Sequence, residues 1–162
     1  GVHFGAESAV DRILKLMGKG VTGAQNQLAI DKLHNAGIPC GCAFVIGWPS
    51  ETEEELLETC RFVQANIKAG KLYKDTPMNI LTPFPGTVVW DNAVKEGIID
   101  LNNFNWERLG IFASYTSSNT SSFDAWADVR RKNNSLYLNE NFVPQERLYE
   151  ILKEHEKAVK GG

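Results

Sequence analysis

The stretch Ile38-Pro39-Cys40-Gly41-Cys42-Ala43-Phe44-Val45-Ile46-Gly47-Trp48-Pro49-Ser50-Glu51-Thr52 decides the fold of this chain. From Ile38 to Ile46 it is apolar on both alternating sets of positions. That is the pattern of a parallel strand covered by helices, not of a half-wetted antiparallel one. Gly47-Trp48-Pro49 ends the run, and Thr52 with Glu55 three residues on forms a capping box that opens a helix. In that helix Leu56, Cys60, Val63 and Ile67 recur at helical spacing and form one inward stripe.

The same unit repeats on either side. Upstream, Gly1-Val2-His3-Phe4-Gly5 reads as the end of a strand with no turn or cap before it, which makes a fragment of a longer chain the expectation. Ser8 is a good N-cap for a helix carrying Val10, Ile13, Leu14 and Met17, with Gly18 and Gly20 to stop it. Thr22 with Gln25 opens a second helix whose shared face reads Ala29, Leu33 and Ala36 before Gly37. Downstream, Met78 to Thr82 is a short strand, Pro83-Phe84-Pro85-Gly86 a turn, and a further helix runs from near Thr87 to Gly97. Strands alternating with helices across short loops predict an α/β fold, a parallel sheet of βα units with right-handed crossovers.

Past residue 100 the pattern changes. Leu101 to Phe123 is rich in Asn, Ser and Thr, and its run Ser117-Ser118-Asn119-Thr120-Ser121-Ser122 reads as a flexible loop. A helix is expected from Ala125 to Lys132, and a last one after Pro144 with Leu148, Ile151 and Leu152 inward. The organisation expected is residues 1–100 as the βα body and 101–162 as a variable, mostly helical extension.

Composition narrows the function. A net charge of −3 gives no basic footprint for nucleic acid. No apolar run approaches the ~20 residues of a membrane span and no signal peptide opens the chain, so a cytoplasmic location, away from membranes, is the expectation. Cys40, Cys42 and Cys60 lack the spacing of a zinc knuckle and read as small core residues, so no metal site is assigned. His34 and His155 fall on predicted polar helix faces and His3 in the first strand; none is read as catalytic. There is no Gly-rich phosphate loop, nucleophile elbow or His-Glu-x-x-His.

Where chemistry collects is the end of each strand: Gly5-Ala6-Glu7-Ser8, Gly47-Trp48-Pro49-Ser50-Glu51-Thr52 and Pro83-Phe84-Pro85-Gly86-Thr87. In parallel α/β folds that edge binds ligands, because loops and helix N-termini converge there. One such loop is ordinary cap and turn chemistry; three at one edge make a binding site.

These pieces, with Ile13-Leu14-Lys15-Leu16-Met17-Gly18-Lys19-Gly20 and Ala36-Gly37-Ile38, resemble the radical S-adenosylmethionine (SAM) superfamily from the fourth strand of its partial (β/α)₆ barrel onward. The nearest group is that of iron–sulfur oxidoreductases often joined to a cobalamin-binding domain, with methylthiotransferases more distant. The resemblance spans Gly1 to Gly97 and implies half of a partial TIM barrel holding part of a SAM site. It implies that Glu7 and Ser8 meet the ribose and amino end of SAM, Lys19 its carboxylate, and Val45 the adenine face. Gly47 would give that ring room, and backbone groups from Leu81 to Pro83 would read its edge. Glu51 would cap its loop, and Trp48 would line a substrate cavity.

One departure is large. The sequence holds no Cys-x₃-Cys-x₂-Cys, so the resemblance implies a [4Fe–4S] cluster only in a full-length parent, with cobalamin a further cofactor open to that parent. The chain is then expected to be inert alone, with no catalytic residue of its own, and to need the missing N-terminal half of the barrel or a second copy as partner. The parent is expected to act on a small-molecule substrate by hydrogen abstraction, as an oxidoreductase or methyltransferase-like enzyme. The alternative is a non-catalytic half-barrel that binds a small molecule or a partner chain and dimerises through its open sheet edges.

Overall fold

In the computed structural model, which describes residues 1–110 and 122–160, three parallel strands lie side by side in chain order. They are β1 (Val2–Glu7), β2 (Cys40–Ile46) and β3 (Met78–Ile80), with β2 in the middle. α1 (Asp11–Leu16) and α2 (Gly23–Asn35) join the first two, α3 (Glu53–Lys68) the second and third, and α4 (Val88–Lys95) follows β3. A 3₁₀ turn (Trp106–Leu109), α5 (Phe123–Lys132) and α6 (Gln145–Lys160) come after. This is the α/β arrangement expected, consistent with part of a βα barrel. Among the described residues no helix is long and apolar enough to cross a membrane.

Both capping boxes are formed: Thr22 and Thr52 each accept the N–H three residues on, while Gln25 and Glu55 reach back. Ser8 is not the cap of α1. That helix starts at Asp11 behind Val10, and the Ser8 hydroxyl instead accepts the Val10 N–H at 3.1 Å. Ser122 caps α5. The rest of the Ser/Thr-rich run, Ser117 to Ser121, lies outside the described residues.

The sheet is covered on one side. Phe4, Ala6, Cys40, Cys42, Phe44, Ile46, Met78 and Ile80 pack against Ile30 of α2, the Leu56, Cys60, Val63 and Ile67 stripe of α3, Trp126 of α5 and Leu148, Ile151 and Leu152 of α6. The alternate positions, Gly5, Ala43, Val45 and Asn79, remain half-buried on the other face. The double-sided apolar pattern of β2 is thus met by helices on one side only. A smaller cluster under α4 holds Trp90, Ala93, Ile99 and Leu136.

Two helix faces differ from the sequence reading. α2 turns Gly23, Asn26 and Ile30 fully inward, while of the Ala29–Leu33–Ala36 face Leu33 packs partly against the core and Ala36 is exposed; the Asn26 amide donates to the carbonyls of Ala6 at 2.9 Å and Ser8 at 3.2 Å. His155 is buried in α6 instead of solvated, with Nδ1 3.2 Å from Gln64 Nε2, and burial pulls it down to about 4.

The start of α2 is tightly seated. A Cβ on Gly23 would stand 2.0 Å from the Ala9 carbonyl oxygen, a backbone atom that cannot swing aside. Gly23→Ala is expected to cost about 1–3 kcal/mol by overpacking, despite alanine's better helix propensity. The check is the urea midpoint, which should fall with an unchanged m value; a midpoint equal to wild type would show that the contact is slack.

Candidate functional site

Because the strands are parallel, the loops after β1, β2 and β3 leave from one rim of the sheet. Their separation to opposite sides of the molecule would have dissolved the site; they share an edge.

The first loop starts with an irregularity. The register with β2 shifts between Gly5 and Glu7, and Glu7 adopts φ 64°, a left-handed conformation rare for a side-chain-bearing residue. The bulge turns the Glu7 side chain back along the open face, across Gly5: a Cβ there would stand 2.1 Å from Glu7 Oε1. Lys19 Nζ lies 3.2 Å from the same oxygen. Carboxylate and ammonium thus sit together at the rim, each about a quarter to a third exposed.

Ser8 is elsewhere. It is fully buried, its Oγ lies 3.2 Å from Thr59 Oγ1 on α3, and Asn26 holds its carbonyl. The hydroxyl read as a ligand contact is a brace between loop and helices, because bulge and turn carry it inward.

The second loop is built around Glu51. Its side chain is fully buried, and Oε2 accepts the Gly47 N–H at 2.5 Å and the Trp48 N–H at 3.3 Å. Oε1 has no partner. Two backbone donors favour the carboxylate, yet burial outweighs them and pushes Glu51 up to about 7. The expected loop-orienting role is the one seen. Gly47 holds φ +73°, which favours glycine, and a Cβ there would meet Tyr137 Cε2 at 2.8 Å. The space a side chain would take at Gly47 is therefore filled by a ring from the extension. Asn139, also from the extension, donates from Nδ2 to the Glu51 carbonyl at 2.7 Å.

Arg12 ties α1 to the second loop and the start of α3. Its guanidinium makes two 2.6 Å bonds to the Glu55 carboxylate and reaches the Ser50 carbonyl at 2.7 Å. Those bonds, joined by the Thr52 N–H, hold Glu55 down to about 2. In the third loop Leu81 is half-buried and its N–H donates to the Ile46 carbonyl at 2.9 Å; Pro83 is buried and, lacking an N–H, offers only its carbonyl. Val45 is half-buried on the open face, two residues after Ala43 and level with Asn79 of β3.

The groups present suit the amino-acid end of SAM: a carboxylate for an ammonium and an ammonium for a carboxylate, both lying over Gly5. They do not suit an iron–sulfur cluster. All three cysteines are buried and free, Cys40 and Cys42 stand Sγ to Sγ at 4.0 Å within the core, and burial pushes Cys60 up to about 12 and Cys42 further. Among the described residues no group of three or more His, Cys, Asp or Glu side chains can hold a metal ion.

Sequence reasoning missed Asn26, Tyr137, Asn139 and Arg12. Asn26 carried a signal, a polar residue four before Ile30 and three after Gly23. The extension residues carried none, since they come from irregular chain with no period.

Residues 1–63 match the family model described as the radical SAM superfamily. An uncharacterized methyltransferase from Pyrococcus horikoshii is 38% identical over 108 residues, 66% of this chain and 22% of the relative. The tRNA-2-methylthio-N(6)-dimethylallyladenosine synthase of Syntrophobacter fumaroxidans is 31% identical over 100 residues, 58% of this chain and 22% of the relative. Its namesake from Thermotoga petrophila is 30% identical over 97 residues, 59% of this chain and 21% of the relative. The chain spans about a fifth of the length of these curated relatives.

Proposed function

We propose that this chain, whose residues 1–63 match the radical SAM superfamily model, is the C-terminal part of a radical SAM iron–sulfur enzyme. It contributes part of the SAM site and is catalytically incomplete alone. In the parent a [4Fe–4S] cluster would be held by cysteines outside this chain and would supply an electron for radical chemistry on a small-molecule substrate; the residues present here would hold only part of SAM.

The observation that carries this reading is the Glu7–Lys19 pair on a bulge at the rim. It is partly exposed, held in a strained backbone, and beside the glycine over which it lies. Glu7 offers oxygens to an ammonium or to ribose hydroxyls, Lys19 an ammonium to a carboxylate, and Val45 an apolar surface to a planar ring. The carbonyls from Leu81 to Pro83 accept from an adenine amino group. Ser8, Asn26, Glu51 and Gly47 hold these groups in place without touching the ligand. The open face and edges are where the other half of the barrel docks, and any cobalamin would be held by the parent outside this chain.

Titration of the labelled chain with S-adenosylhomocysteine, followed by amide NMR, tests this. Shifts are expected at Glu7, Lys19, Val45 and Leu81, and Lys19→Ala should weaken binding about tenfold, the worth of one charge-assisted contact. The alternative is a half-barrel that takes no nucleoside and pairs with a second copy through β1 or β3, the outer strands of the sheet. No shift at millimolar ligand, together with a dimer in sedimentation, would favour it and sink the SAM reading.

A further inference from the structure

Beside the rim lies a cavity of about 620 Å³. Its walls come from three parts of the chain that the fold brings together: the last turn of α1, the Trp48-Pro49 loop and the first turns of α4, with Leu138 from the extension. Leu16, Met17, Trp48, Val89, Ala93 and Leu138 present hydrocarbon to it. Three side chains at its walls are large apolar groups left in water: Leu16 is 49% exposed, Val88 75% and Ile98 47%.

Its polar groups are few. The Thr87 hydroxyl donates to the Phe84 carbonyl at 2.7 Å and accepts the Trp90 N–H, so it is committed to the helix cap. Asn92 and Glu96 remain. No lysine, arginine or histidine lines the cavity among the described residues, so nothing there compensates an anion and Glu96 repels one. The volume is that of a small-molecule site. In the chain, Gly18 at its wall precedes Lys19, and Trp48 follows Gly47.

We propose that this cavity is a binding site for an uncharged, apolar aliphatic or aromatic group, and that in the parent it receives the apolar part of the substrate. Only the second half of that statement rests on the radical SAM reading. A site with hydrocarbon walls excludes water from its contents, which suits chemistry at an unactivated carbon. The exposed Leu16, Val88 and Ile98 are covered when the group enters, which is the hydrophobic gain that drives its binding.

The probes are 3-methyl-1-butanol for an aliphatic group and indole for an aromatic one, titrated at millimolar concentration into the full chain and read by methyl and amide NMR. Saturable shifts are expected at Leu16, Met17, Val89 and Leu138 for at least one probe. Ala93→Trp, which fills the cavity, should abolish them. Val88→Asp changes only an exposed wall residue and keeps the test alive if the first variant does not fold; it should weaken binding about fivefold. Equal binding in Val88→Asp and wild type, unsaturable shifts, or shifts that depend on protein concentration and mark a second copy in the cavity would each overturn the proposal. If the probes bind here while S-adenosylhomocysteine leaves Glu7 and Lys19 unmoved, the cavity stands and its assignment to a SAM enzyme's substrate falls.

Discussion

Trp126→Ala is expected to lower the unfolding free energy by about 3–5 kcal/mol, a large part of the roughly 5–15 kcal/mol typical of a domain. Trp126 is fully buried on α5. Its ring lies 5.1 Å from Phe123 and 5.6 Å from Tyr149, centre to centre, and the buried Arg130 guanidinium sits 5.7 Å above it. Arg130 Nε in turn donates to the Tyr149 hydroxyl at 3.2 Å. Removing the indole empties a site in the one cluster that also holds Phe44 and Ile46 of the sheet, so the cost falls on the body and the extension together. Chemical denaturation followed by circular dichroism should show a single transition at a lower midpoint. A loss under about 1 kcal/mol, or α5 and α6 melting ahead of the sheet, would show that the extension is an appendage rather than part of the core.

Glu51 should give a second large effect, visible only against pH. Its folded value of about 7 lies above the ordinary 4.5, so the folded state holds the proton more tightly than the unfolded state. The stability it contributes is present in full below about 4.5 and is lost as the pH rises to 7, where an ionised carboxylate is trapped in the core. The shift corresponds to about 3 kcal/mol. The charges that bear on it are Arg12, which opposes the rise, and Glu55, which adds to it; Cys60 and Tyr137 lie close enough to feel its charge. His155 works the other way. Its folded value of about 4 lies below the ordinary 6.5, so its contribution is present above 6.5 and lost as the pH falls toward 4. The two slopes oppose each other and should leave the wild-type profile nearly flat between pH 4.5 and 6.5. Glu51→Gln keeps an oxygen for the Gly47 and Trp48 amides and removes the titration. Its stability relative to wild type should climb between pH 4.5 and 7, reach a plateau near 3 kcal/mol, and expose the His155 slope. Parallel profiles for the two proteins would mean that Glu51 is solvated or paired.

The order and parallel pairing of the βα units were legible because they depend on local signals. Capping boxes at Thr22 and Thr52, the periodic stripe of α3 and the apolar run of β2 are each set by residues a few positions apart. The rim was legible for the same reason, since it follows from strands sharing a direction. What sequence could not carry was the choice between faces. Asn26 looks like a solvent residue until the turn after β1 brings the carbonyls of Ala6 and Ser8 within reach of its amide. Ser8 reads as a cap or a ligand group until Thr59 is brought beside it by the packing of α3. The vacancy at Gly47 was visible in the sequence, but its occupant, Tyr137, lies ninety residues away in a segment with no repeating pattern.

That wedge has a practical consequence for anyone cutting or splicing this protein. The tail's Tyr137 ring and Asn139 amide set the shape of a loop that belongs to the sheet, so the natural-looking cut point near residue 100 would part a hinge from its pin. Chimeras meant to exchange tails between relatives should carry the Gly47–Glu51 loop and the 137–139 segment as one cassette, even though most of the chain's length separates them.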